Sequence, residues 1–329
     1  MPYKLRDDRR HKFKKARYKI NNWSEYNQAL KNRGSIFLWL SDDVIKSWYE
    51  NKINHRERGA PNKYSNIAIK TALTIKSVYS LPYRATEGLL VSIFNAMKLN
   101  LDVPDYTRMC RRAKTLEIVD LKNINPDEHI NVIVDSTVLK IFGQGEWHQE
   151  KHGLKKRKKW RKLHLVIDRE TQAIIAQELT DDLESDPSQV KSLLGQVEEK
   201  IISISADGAY DTDKVYREIE DKSEKSVVVA IPPRQDAALS LNYQTEPTAR
   251  DHNILFAEKY GKYRWQDYSD YNYRALVETA MFRYKKIIGN TMYSRNLSSQ
   301  KVESKITCEI LNKMASLGMP KSTKIKEVA

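Results

Sequence analysis

"INVIVDSTVLKIF" (residues 130–142) is dominated by apolar and β-branched residues and reads as a β-strand. It marks a change of pattern in the chain. Upstream, residues 63–120 carry helical spacing: "SNIAIKTALTIKSVYS" opens on Ser65 and repeats Ile67, Leu73, Ile75 and Val78. A break containing Pro82 leads to "RATEGLLVSIFNAMKL", and "DYTRMCRRAKTL" starts after Pro104 with Asp105 as its N-cap. Residues 21–60 also read as short helices, with Ser41 capping one that turns Val44, Ile45 and Trp48 to a common face.

Downstream of the strand the order changes. "WRKLHLVIDRETQAIIAQELT" (160–180) reads as two strands joined by a turn at Arg169–Gln172. "DPSQVKSLLGQVEEK" (186–200) reads as a helix begun by an Asp-Pro pair. "IISISADGAYDTDKVYREIEDK" (201–222) is a strand, a glycine turn and a helix, and "SVVVAIPP" (226–233) is a strand stopped by two prolines. A polar stretch, 234–270, holds one candidate helix near 248–260. Two helices follow, at 271–286 and 298–318. Three consecutive strands can pair as an antiparallel meander, whereas strands separated by helices must join in parallel. The expected fold is α/β: a ribonuclease H-like mixed sheet flanked by helices, preceded by an all-helical part. The expected divisions are a basic arm (1–20), a helix-turn-helix-like DNA-binding domain (21–125) and a catalytic domain with a C-terminal helix (126–329).

Charge points to the partner. The 329 residues carry Lys+Arg 57 against Asp+Glu 43, a formal charge of +14. Such an excess favours nucleic acid or an anionic surface. No apolar run approaches the roughly 18 residues of a spanning helix, and the N-terminus is basic without an apolar stretch behind it, unlike a secretory signal. Cys110 and Cys308 make neither a disulfide framework nor a zinc cluster, as expected of a reducing cytosol. His148 and His152 lack the glutamate of a zinc helix motif, and no phosphate loop signals ATP. Cationic clusters fall at the arm, at Arg108, Arg111 and Arg112, and at Lys155, Lys156, Arg157, Lys158, Lys159, Arg161 and Lys162 around Trp160. Phosphate binding with an aromatic at a base is one reading of these clusters, and a solvated face is the other.

Three carboxylates stand in costly places. Asp135 interrupts an apolar strand, where an unpaired charge costs several kcal/mol of desolvation. Asp207 ends a strand just before Gly208, and ligands of α/β sheets gather at carboxyl ends. Glu278 breaks a stripe of Tyr271, Arg274 and Lys285, which on an α-helix share an arc of about 60°. Together, oxygen-only ligands suit Mg²⁺ or Mn²⁺, and two such ions can activate a water or a 3′-hydroxyl at a phosphodiester. Structural readings stand beside this one. Arg274 and Glu278 form an i, i+4 pair, Asp207 suits a turn, and Asp135 could accept backbone hydrogen bonds. Asp168, Asp181, Asp182 and Asp186 are rival acids, set aside because turns and helix starts use acids routinely.

At these residues the chain resembles bacterial insertion-sequence transposases of the DDE class, in the insertion-sequence four and five superfamily. Tyr271, Arg274, Glu278 and Lys285 match its Y-x2-R-x3-E-x6-K signature, and "VDST", "ADGAYD", "KWRKLHL" and "LNKMASLGMP" are similar to family sequence. The resemblance covers about 125–320. It implies that Asp135, Asp207 and Glu278 bind a pair of Mg²⁺ or Mn²⁺ ions, and that Arg274 and Lys285 contact the element end while Tyr271 positions DNA or the helix. It also implies cleavage by water, joining by the freed 3′-hydroxyl, double-stranded DNA as partner, a homodimer on DNA and a place on the bacterial nucleoid. Little room remains before the glutamate for the large β-rich insertion of some relatives, which puts hairpin chemistry in doubt. The competing expectations are a ribonuclease H-like nuclease that never joins and a catalytically dead DNA-binding regulator.

Overall fold

The computed structural model describes residues 17–50, 62–116, 121, 129–143, 160–223 and 227–325. The arm residues 1–16, the basic residues Lys155, Lys156, Arg157, Lys158 and Lys159, and the expected boundary at 125/126 lie outside the described residues. The chain divides into two compact units, one of residues 1–38 with 313–329 and one of residues 39–312.

In the first unit, β1 (Tyr18–Ile20) is followed by α1 (Trp23–Asn32). The C-terminal strand β8 (Ser322–Lys324) pairs antiparallel with β1, so the last residues of the expected arm are strand, not tail. The Asn22 amide donates to the Met319 carbonyl (3.0 Å) and its oxygen accepts from the Lys321 N–H (2.8 Å). Gly318 has φ 141°, a backbone conformation that strains other residues, and a Cβ there would lie 3.1 Å from Ala29 Cβ, a tight contact.

The second unit opens with helices α2 (Asp42–Lys46), α3 (Asn66–Val78), α4 (Tyr83–Ala96) and α5 (Tyr106–Arg112). The Ser65 hydroxyl and the Asp105 carboxylate accept from backbone N–H groups and cap α3 and α5. On α3 the buried face is Ile69, Ala72, Leu73 and Ile75, whereas Ile67 is exposed, contrary to its expected place in the apolar repeat. Trp48 is fully buried, 5.0 Å edge-on from Phe94, with its ring N–H donating to the Asp102 carbonyl (2.8 Å).

The sheet comprises β2 (His129–Ile141), β3 (Trp160–Asp168), β4 (Ile174–Asp181), β5 (Lys200–Ser205) and β6 (Val228–Ala230). Its spatial order is β4-β3-β2-β5-β6, with β3 antiparallel to β2 and β4, and β5 and β6 parallel to their neighbours. This is the ribonuclease H-like arrangement. The two-residue β7 (Thr291–Met292) adds in parallel beside the end of β2.

Helices cover both faces, and that is why the strands are apolar at successive positions. On one face Ile130, Val132, Val134 and Val166 pack against α6 (Val190–Gly195) and α7 (Asp213–Lys222). Opposite them, Ile133, Leu139, Leu163 and Leu165 pack against α10 (Ala275–Ile287) and α11 (Leu297–Ser316). Those two helices follow α8 (Ala249–Tyr260) and α9 (Lys262–Tyr268) in the chain. Three expectations shift. The helix expected over 186–200 is a 3-10 turn and six helical residues, because the chain must return by Lys200 to enter β5. The 234–270 stretch holds two helices, α8 and α9, divided at Gly261 with φ 86°. Residues Tyr271–Arg274 form a 3-10 turn, and the α-helix proper starts at Ala275. Among the described residues no helix is long and apolar enough to cross a membrane.

Candidate active site

The parallel register of β2 and β5 aligns Ile133 with Ser205. Two residues further along come Asp135, within β2, and Asp207, just past the end of β5. Asp135 lies on the sheet face covered by α10 and is mostly buried. Its Oδ1 accepts from the Ser136 N–H (2.7 Å) and its Oδ2 from the Arg274 guanidinium (2.7 Å). Asp207 leaves β5 into a tight 3-10 turn and caps it, accepting from the Ala209 N–H at 2.8 Å.

Glu278 stands in the first turn of α10, where the helix dipole favours an acid. Val277, Ala280, Met281 and Tyr284 bury the opposite face of that helix. Arg274 holds Glu278 with its second amino group, so one guanidinium spans two of the three acids. The Lys285 ammonium donates to the Thr137 hydroxyl (2.6 Å), two residues beyond Asp135 on the same strand face. Helix and strand are thus tied at two polar points. The Tyr271 ring lies 5.3 Å from Trp265 and 6.0 Å from the Arg274 guanidinium carbon.

The carboxyl group of Asp135 is pushed above its usual range. Burial is the main cause, Asp207 and Glu278 add repulsion, and Ser136 and Arg274 offset only part. One cation therefore leaves the cluster short of positive charge. The all-carboxylate donor set and this deficit both fit a hard divalent ion. In the present arrangement no three acid, imidazole or thiol groups among the described residues stand close enough together to hold one ion. Arg274 occupies the space between Asp135 and Glu278.

The other basic residues divide. Arg161 pairs with Asp181 and donates to Gln300 (2.7 Å), and Lys162 donates to the Glu184 carbonyl (2.7 Å), so both face protein. Trp160 begins β3 with the Lys140 ammonium 5.9 Å from its ring. Arg112 donates to the Tyr64 carbonyl (3.1 Å). Arg108 and Arg111 are exposed on α5. Asp168 accepts from the Thr171 N–H (2.7 Å) and hydroxyl (2.6 Å), the turn role for which it was set aside.

Sequence reasoning missed Arg234. Its guanidinium donates to the carbonyls of Gly208 (3.0 Å) and Ala209 (2.6 Å), and its N–H to Asp211 (2.9 Å). It clamps the turn that presents Asp207. The available signal was its place, directly after the two prolines that end a parallel strand. Arg234→Ala is expected to lower the unfolding free energy by about 1–3 kcal/mol in urea titrations, because two carbonyls lose a charged donor. Arg234→Lys should recover part of that.

Two family models, each described as a transposase DDE domain, match the chain, one over residues 127–312 and one over 31–144. The first spans more than half of the 329 residues, so the chain belongs to the DDE transposase family, and with it to the polynucleotidyl transferases. Two solved structures also overlap it. One is a piggyBac transposase synaptic complex with hairpin DNA, at 12% identity and a TM-score of 0.43, covering 84% of this chain and 73% of that one. The other is the Drosophila P element transposase strand transfer complex, at 10% identity and a TM-score of 0.32, covering 84% of each.

Proposed function

We propose that this DNA transposase binds the ends of a mobile element, cuts them with two Mg²⁺ or Mn²⁺ ions, and joins the 3′-hydroxyl ends to target DNA. The observation that carries this reading is the bridging of Asp135 and Glu278 by one guanidinium, with Asp207, just past the end of the neighbouring strand, near enough to add repulsion at Asp135. Asp135, Asp207 and Glu278 would hold the ions. When bound, these would supply a stronger oxygen nucleophile and charge for the leaving oxygen. Arg274, in the 3-10 turn that leads into α10, and Lys285, on α10, would hold phosphates of the end strand, with Tyr271 packed beside Arg274. Trp160 and the basic residues 155–159 would extend that track, whereas Arg161 and Lys162, paired within the protein, would not. Helices α3 to α5 would read the terminal duplex through Arg108, Arg111 and Arg112. Pairing two ends asks for a homodimer on DNA.

The test is strand transfer. A duplex ending in a pre-nicked element terminus, with supercoiled target and Mg²⁺, should yield joined product. Cleavage without joining would favour the nuclease reading, and neither activity would favour the regulator. DNA affinity should also fall steeply with salt. Each phosphate contact contributes about 0.9 to the log–log slope. Arg111→Gln is therefore expected to lower that slope by about 0.9 in fluorescence anisotropy titrations. An unchanged slope would remove Arg111 from the interface.

A further inference from the structure

We infer that Arg274 is a latch that keeps divalent ions out of the site until DNA arrives. The inference rests on the reading of Asp135 and Glu278 as ion ligands. Both amino groups of the guanidinium are committed, one to Asp135 Oδ2 at 2.7 Å and one to Glu278. The side chain is only 15% exposed, and so is held by its surroundings as well as by charge. A divalent ion cannot settle on these carboxylates while a guanidinium lies between them, because like charges would share a few ångströms of poorly hydrated space. Nor can the same two amino groups grip a phosphate.

The two roles open to Arg274, sealing the acids and holding the end strand, therefore exclude one another. That exclusion has a thermodynamic consequence. A backbone phosphate reaching α10 offers the guanidinium a bidentate partner at least as good as the two acids. Once Arg274 turns to it, Asp135 and Glu278 lose their counter-ion, and Asp207 beside them adds to the repulsion. The site then takes up a cation. DNA and metal bind cooperatively, and each tightens the other by the same factor. Lys285, the other cation on this face, is held on the Thr137 hydroxyl and does not bridge the acids. The device confines an ion-loaded nuclease site to complexes that already hold DNA.

The test is Mn²⁺ binding to the full chain, read as free Mn²⁺ by electron paramagnetic resonance, with no turnover required. Without DNA, Arg274→Gln should bind Mn²⁺ about tenfold or more tightly than wild type. A short end duplex should tighten wild type by a similar factor and change Arg274→Gln by less than about threefold. Arg274→Lys, which keeps the charge but reaches one carboxylate, should fall between. Circular dichroism melts establish that each variant is folded, and the wild-type comparison with and without duplex needs no variant. Equal Mn²⁺ affinity of wild type and Arg274→Gln without DNA, or no gain in wild type on adding duplex, overturns the latch. Asp135→Asn with Glu278→Gln should abolish the binding. If that double variant binds like wild type, the ion site itself is misassigned, a failure distinct from that of the latch alone.

Discussion

Asp135→Asn is expected to slow cleavage of a terminal duplex by on the order of 10³-fold or more in single-turnover assays with Mg²⁺. That corresponds to about 4 kcal/mol of barrier. The substitution is close to isosteric. The Ser136 N–H can still donate to the side-chain oxygen, and the strand around it stays paired to β3 and β5. What is lost is the charge that an ion would need. Stability should barely change. The carboxylate is already strained by burial and by Asp207 and Glu278, so neutralising it relieves repulsion while weakening the tie to Arg274. Asp207→Asn and Glu278→Gln should show the same loss of cleavage with DNA affinity within a few-fold of wild type. A rate within tenfold of wild type for any of the three would sink the assignment of that residue. The combination of large rate loss, intact fold and intact DNA binding separates an ion ligand from a structural acid.

Much of this site was legible because its acids break local patterns. Asp135 interrupts a strand whose neighbours are apolar on both faces, and Glu278 interrupts a cationic stripe. Asp207 ends a strand at the edge where parallel sheets gather ligands. The strand order was legible for the same reason: β-branched runs separated by helices leave few ways to pair. What the sequence hid depends on distant partners. The pairing of β1 with β8 joins the two ends of the chain, and neither triplet shows a strand pattern long enough to notice. Helix α9 is set by Trp265, fully buried with its ring N–H on the Asn253 side chain (2.9 Å), inside a stretch whose composition is polar. The 3-10 turn at Tyr271–Arg274 also escaped the periodic reading. Arg274 sits at the junction with α10, committed to Asp135 across 139 residues of sequence, a contact that helix periodicity does not carry. Asp186 was set aside as a routine helix-start acid. It accepts no capping bond, and instead stands 3.5 Å from His164 and 3.3 Å from Lys162.

His164 sets the expected acid limit of the fold. It is fully buried in β3, with Nε2 3.0 Å from the Thr180 hydroxyl oxygen, while Nδ1 has no hydrogen-bond partner. Burial pushes the imidazole pKa from 6.5 down to about 4. Lys162 pushes the same way, and Asp186 and Glu178 pull against it without prevailing. The folded state therefore resists a proton that the unfolded chain accepts. Stability from this residue is complete above the unfolded pKa, near 6.5, and is lost as pH falls from there towards 4. The loss between pH 7 and pH 4 comes to about 3 kcal/mol, a large share of a typical domain's margin. His164→Gln keeps a polar side chain of similar reach and has no proton to gain. It should cost some stability at pH 7 yet show an acid slope shallower by that same 3 kcal/mol, since every other titrating group is common to both proteins. Urea unfolding of the two at pH 7, 5.5 and 4 measures the difference directly. Parallel curves would mean that His164 is protonated in the folded protein, with Asp186 as its counter-ion.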